Sequence, residues 1–277
     1  SALTSTASIT PKTLLIKNKE FITAEIGDTY VAKRFSGRGF FLKLVNFSKS
    51  YCVENNLNFI YGTPNSQSFP GYIKYCGFEK SEIIKPYSFS YLLEIKSHLK
   101  LKVGCFFANI FNLPYRLFLK IHHITLFLLS NFNSGYDLEE VSFFSIDFDK
   151  FFNKVSSEWD FIFSRTSKHL NWRFCDNPEN YTIFLVKKNE EIVGYFVYKI
   201  ILSQPTSKLV VADFLVSKNH TLAFNIVFHR LRKVAFANNL SIINTWCDIN
   251  SLFVPNLLKN GLIFKKEISF INFKNFF

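Results

Sequence analysis

The clearest chemistry in the chain lies in Arg34-Phe35-Ser36-Gly37-Arg38-Gly39, a basic, glycine-punctuated stretch between a predicted strand and a predicted helix. The first amides of a helix have no intrahelical acceptor, and glycines let an anion approach them closely. Arg34 and Arg38 add guanidinium donors that suit phosphate oxygens. With Ser36 and the helix-opening Phe40, the turn reads as a pyrophosphate site, a plain basic turn being the alternative. The five cysteines, Cys52, Cys76, Cys105, Cys175 and Cys247, are scattered and form no CxxC pair. Neither a metal site nor a disulfide framework is expected from them.

The elements that must position this turn follow from hydrophobic periodicity. Leu14–Val31 reads as a strand pair folded at Lys17–Glu20, and it leads straight into the turn. Phe40, Leu44, Phe47 and Tyr51 then fall at helical spacing, with Asn55-Asn56 as a polar stop. Asn58–Gly62 is a short strand, Ser68–Cys76 a short helix, and Gly77-Phe78 its exit. Lys80–Ser157 is less regular, apart from an apolar helix over Leu113–Asn131 that carries His122-His123. A second α/β unit starts near Glu158. It has a hairpin around Asn189–Glu191, a strand over Lys208–Val216, a helix over His220–Asn239, a strand over Ser241–Cys247 and a short helix over Ser251–Asn260.

The halves match. Asp28 precedes the first long helix as Asp213 precedes the second, and the intervals to Gly77 and Gly261 differ by one residue. This predicts an internal duplication: an N-terminal unit over 1–95, a helical inter-domain segment over 96–157 and a C-terminal unit over 158–277. The expected fold class is α/β (α+β), two tandem units of mixed twisted sheet flanked by helices.

Composition sets the outer limits. Of 277 residues, 48% are hydrophobic and 19% charged, which gives a folded chain, long enough for two cores. The 33 basic against 21 acidic residues leave a net charge of +12. That balance favours an anionic partner, although 35 Phe and abundant Lys also fit an AT-rich genome. No Met occurs, where average usage would give on the order of five. Ser1–Thr10 lacks the basic and apolar regions of a signal peptide, and the longest apolar run, Ile121–Ser130, is too short to span a bilayer. A reduced, cytoplasmic protein with no membrane span is expected. Basic residues form neither a long run nor an aromatic-interleaved stripe, so nucleic acid is not expected as a partner.

Arg34-x-x-Gly37-x-Gly39 opening a helix, followed by a strand and a short helix ending in Tyr72…Gly77-Phe78, resembles a GNAT-superfamily N-acyltransferase. The longer run Ile26-Gly27-Asp28-Thr29, Phe59–Asn65 and Pro70-Gly71-Tyr72, with Leu170-Asn171-Trp172-Arg173-Phe174 in the second half, is more specific. It is similar to two-domain members from bacterial surface-polysaccharide (lipopolysaccharide O-antigen or capsule) loci. The resemblance implies acyl-CoA as co-substrate without a metal. Arg34, Ser36, Gly37, Arg38, Gly39, Phe40 and Asn65 would bind it. It further implies transfer of an acetyl or 3-hydroxybutanoyl group to the amine of a dTDP-linked 3-amino-3,6-dideoxyhexose.

Amine attack on a thioester needs a base, an oxyanion donor and an acid for the leaving thiolate. Asp28 is the first candidate base, with His122, His123 and Asp213 as alternatives. The backbone near Tyr30–Ala32 is the expected oxyanion donor. The resemblance makes Tyr72 the acid, although it stands one residue further from Gly77 than the usual pattern has it. Trp172, Arg173 and Asp213 would face the sugar nucleotide. The second unit has Ser217-Lys218-Asn219-His220 where a glycine-rich turn would stand, so it is not expected to bind CoA. Two competing readings are aminoacyl transfer to a peptidoglycan precursor and a non-catalytic nucleic-acid or partner-binding module on a degenerate fold.

Overall fold

A computed structural model describes residues 3–95, 106–107, 110–121, 124, 135–203 and 206–273. The chain opens with β1 (Ser5–Ile16) and β2 (Lys19–Val31). They are joined at Lys17 and Asn18, both at positive φ, as a two-residue hairpin turn requires. A single tight turn over Lys33–Phe35 leads into α1 (Phe40–Glu54). Then come β3 (Phe59–Gly62), α2 (Phe69–Tyr75), β4 (Glu79–Lys80) and β5 (Pro86–Leu92). Residues 110–121 are helical (α3), and β6 (Tyr136–Val141) and α4 (Phe148–Ser156) follow.

β7 (Phe161–Phe163), α5 (Ser167–Leu170) and a wide helical turn over Asn171–Cys175 come next. β8 (Thr182–Lys188), β9 (Glu191–Ile201) and β10 (Lys208–Val216) form a meander whose first turn, Asn189-Glu190, again lies at positive φ. The chain ends with α6 (Ala223–Ala237), β11 (Ile242–Asp248), α7 (Val254–Lys259), β12 (Ile263–Glu267) and β13 (Ile271–Phe273).

Two compact units result. One comprises Ser1–Pro86, Trp159–Ser164 and Glu267–Phe277, the other Tyr87–Glu158 and Arg165–Lys266. The sheet of the first has the order β4-β13-β3-β2-β1-β7, and that of the second β12-β5-β11-β10-β9-β8-β6. The first sheet thus receives two strands from the second half of the sequence, β13 between β4 and β3 and β7 at the edge beside β1, and the second sheet receives β5 between β12 and β11. Asn244 of β11 ties β5 in through Ser88 Oγ, the Phe89 carbonyl and Ser90 Oγ. Beside the expected division at 95 and 157, the observed units interleave, and Tyr136–Val141, expected in a helical segment, is an edge strand.

The duplication is visible in registers. β2 runs parallel to β3 with Thr23 opposite Phe59, and β10 parallel to β11 with Lys208 opposite Ile242. Each first partner lies five residues before its aspartate, Asp28 or Asp213. The helices α1 and α6 are both 15 residues long. The buried stripe of α1, however, is Val45, Ser48 and Cys52, while Phe47 and Tyr51 of the expected apolar face point to solvent. The first core forms around Ala24, Ile26, Val45, Ile60, Tyr72 and Phe78.

Candidate active site

In the first unit the two central strands part, and a cleft opens between them. β2 and β3 stay paired only through Glu25 and Tyr61. Beyond that point β3 is held on its other side by β13, with Gly62 opposite Ile271. Gly62 stands where the strands separate, and a Cβ there would sit 2.9 Å from the Ile26 carbonyl oxygen. On its far side β2 bulges against β1, since Gly27 pairs with Ser8 but Tyr30 with Thr6. The bulge holds Asp28 at φ 46° and turns three successive residues, Gly27, Asp28 and Thr29, toward one space, where a regular strand would alternate them.

That space is a cleft of about 440 Å³, walled by Glu25–Thr29, by Gly62–Asn65 and by Tyr72 of α2. The exposed Asp28 carboxylate accepts a bond from Ser8 Oγ at 3.1 Å. The Tyr72 hydroxyl lies 2.7 Å from Thr29 Oγ1, and its ring packs edge-on against Phe41 and Phe78. Burial pushes the Tyr72 phenol above its ordinary pKa, the Thr29 bond pulls the other way, and the nearby Cys76 thiol adds to the rise. Tyr72 is therefore protonated at neutral pH and carries a transferable proton. Asn65 Oδ1 accepts from the Gln67 and Ser68 amides in the turn before α2, so its side chain is committed locally.

At the outer end of β2 the basic turn takes the conformation that its glycines permit. Gly37 and Gly39 lie at φ 75° and 77°, and a Cβ at either would project into open space. Gly39 caps α1. The guanidinium carbons of Arg34 and Arg38 lie 4.8 and 5.7 Å from the centre of the Phe35 ring, so one aromatic plate carries both cations. The turn fits a diphosphate: open glycine backbone, helix N-terminus and two exposed guanidinium groups.

The corresponding turn of the second unit is filled by the protein itself. Glu158 accepts from Ser217 Oγ at 2.8 Å and from the Lys218 amide at 2.7 Å, and the Lys218 ammonium bonds the Glu158 carbonyl. Asp213, the counterpart of Asp28, also follows a bulge, and it is bound inward by Arg165 at 3.3 Å and by the Tyr195 hydroxyl at 2.8 Å. Burial pushes its carboxyl up, but Arg165, Arg173 and Tyr195 outweigh this and hold it below the usual carboxylate range. Asp213 therefore has the partners of a structural ion pair.

Replacing Arg165 by Met is expected to cost about 3 kcal/mol, because it strands a carboxylate that is only 13% exposed. The pair's contribution is complete above the ordinary carboxylate pKa of about 3.9 and is lost as pH falls through the lowered native value. Urea unfolding of wild type and Arg165→Met should thus show a gap at neutral pH that narrows in acid.

The cleft unites Asp28, Asn65 and Tyr72. Arg34, Ser36, Gly37, Arg38, Gly39 and Phe40 form the turn at the end of its β2 wall. Trp172, Arg173 and Asp213 belong to the second unit: Trp172 is exposed against His169, and Arg173 lies over Phe174. His122 and His123 lie outside the described residues. The backbone expected to donate to the oxyanion is not in the cleft wall: the Ala32 amide is given to the Thr4 carbonyl, and Tyr30–Ala32 do not line the cleft. The roles of three residues go beyond the sequence reading: Thr29 bonds the Tyr72 hydroxyl, Phe35 lies under both arginines, and Glu158 fills the second turn. Among the described residues, no group of His, Cys, Asp and Glu could hold a metal ion.

No family model matches this sequence, and neither does any curated protein. Its similarity is to solved structures. A GCN5-related N-acetyltransferase from Anabaena variabilis aligns at TM-score 0.57 and 12% identity over 96% of this chain and 58% of its own. Saccharomyces cerevisiae N-myristoyltransferase with bound myristoyl-CoA aligns at 0.61 and 12%, over 98% of this chain and 63% of its own. A tandem GNAT protein from the clavulanic acid biosynthesis pathway aligns at 0.57 and 12%, over 90% and 74%. The chain spans less than two thirds of the first two. These likenesses define the fold: two tandem units of GNAT type, mixed α/β with a sheet flanked by helices in each.

Proposed function

We propose that the chain is an acyl-CoA-dependent N-acyltransferase whose first unit binds the thioester. One observation carries this reading: a carboxylate, Asp28, and a phenol, Tyr72, line one cleft between parting parallel strands, and one of those strands leads into the open glycine turn. The yeast N-myristoyltransferase of similar fold has myristoyl-CoA bound, which supports an acyl-CoA reading. The pyrophosphate would lie on Gly37–Gly39 between Arg34 and Arg38, with the thioester reaching along β2.

The acceptor amine attacks the thioester carbonyl, forming the N–C bond, and its proton passes to Asp28 directly or through one water. The C–S bond then breaks, and Tyr72 gives its proton to the leaving thiolate. Thr29 keeps the phenol aimed into the cleft. Tyr72→Phe is expected to lower turnover roughly 10²-fold with CoA affinity unchanged, read by steady-state kinetics beside calorimetry.

For the acceptor, we infer a dTDP-linked 3-amino-3,6-dideoxyhexose. The support is the stretch Leu170–Phe174, which presents an exposed Trp172 able to stack on a ring and a cationic Arg173 beside it. Isothermal titration with CoA and acetyl-CoA, then with the sugar nucleotide added, tests both levels. CoA binding without a sugar-nucleotide response overturns the acceptor alone. No CoA binding overturns the enzyme class and favours aminoacyl transfer or a non-catalytic role.

A further inference from the structure

We propose that α3 lays its outward face on an anionic lipid surface and so docks the protein at a membrane interface. The helix is amphipathic in the opposite sense to an ordinary surface helix. Its inner stripe is largely polar and bonded: Asn112 Oδ1 accepts from the Ile95 amide at 3.0 Å, and the Tyr115 hydroxyl donates to the Leu92 carbonyl at 3.1 Å. Leu119 is the buried apolar residue of that stripe.

The outer face is apolar. Ile110, Leu113 and Leu117 fall at i, i+3 and i+7, with exposures of 50%, 75% and 59%. Phe111 widens this face to an arc of roughly 160° at 100° per residue. Phe106 and Ile124, on either side of it in the sequence, are also helical and exposed.

Charge selects the occupant. On the helical projection Arg116 and Lys120 line one edge of the apolar arc, and Arg116 is held there by Asn239 at 3.2 Å. The sequence has no Asp or Glu from Ile95 to Tyr136. A second copy of the chain would bring like cations to this edge and no carboxylate to meet them. Lipid phosphates and carboxylates would meet them, as a net charge of +12 also favours. No helix among the described residues is long and apolar enough to cross a membrane, so the geometry is that of a helix lying in the interface.

The test is co-sedimentation of the full chain with vesicles of phosphatidylglycerol and phosphatidylcholine, and with vesicles of phosphatidylcholine alone. Pelleting is expected with the first, weakened by salt. Leu113→Glu/Leu117→Glu should reduce it at least about tenfold, and Lys120→Glu about fivefold. All three positions face solvent, and unchanged circular dichroism with unchanged CoA affinity confirms that the variants remain folded. Equal pelleting by wild type and the double variant overturns the proposal. So does the absence of pelleting, including the case in which sedimentation velocity instead shows a dimer that the double variant abolishes.

Discussion

Gly37→Glu is expected to abolish CoA binding, weakening it at least about a hundredfold, or about 2.7 kcal/mol. Two effects add. Gly37 lies at φ 75°, where a side chain costs about 1 kcal/mol or more, and the position where its Cβ would start is open space. A glutamate there would project a carboxylate into the site proposed for the pyrophosphate and pair with Arg34 or Arg38. Gly37→Ala separates the contributions, since it keeps the strain and omits the charge; its loss should be well under half as large in free energy. Titration calorimetry of both variants, with helix content checked by circular dichroism, reads the difference. Unchanged affinity in folded Gly37→Glu would move the CoA site elsewhere.

Asp28→Asn should lower turnover by roughly 10²–10⁴-fold while leaving CoA affinity within about twofold. The substitution keeps size and the bond from Ser8, and asparagine tolerates the positive φ of the bulge as well as aspartate does. Lost turnover then reports a lost proton acceptor and not a lost bulge. A fall of less than tenfold would leave Asp28 a bulge residue and send the search for the base to Glu25, the other carboxylate that lines the cleft.

Much of this arrangement was legible because its signals are local. Two-residue turns and a strand feeding a glycine turn act within a few residues, and the paired aspartates were legible because their intervals to Gly77 and Gly261 nearly repeat. What escaped depends on distant partners. Nothing near Pro86 or Ile271 tells which sheet will accept those strands, since the choice is made by edges far away in sequence. The face of α1 was misjudged because a Phe-rich chain spreads apolar residues around every helix: Phe47 and Tyr51 face water while Ser48 and Cys52 are buried. The bond of Thr29 to Tyr72 was not legible, because alternation turns Thr29 away from Asp28 and only the bulge brings both into one cleft. Tyr72 stands in the cleft wall with one residue more before Gly77 than the usual pattern has, and the Phe78 amide bonds back to its carbonyl across the turn after α2.

The carboxylate of Glu158 in the second turn has a kinetic meaning. A group tethered to the same chain competes at an effective concentration on the order of millimolar or above, however much free ligand is supplied. In the second turn the Ser217 hydroxyl and the Lys218 amide are already given to Glu158, so an anion would have to displace that carboxylate. On the reading proposed above, titration is expected to give one thioester per chain, bound by the first unit.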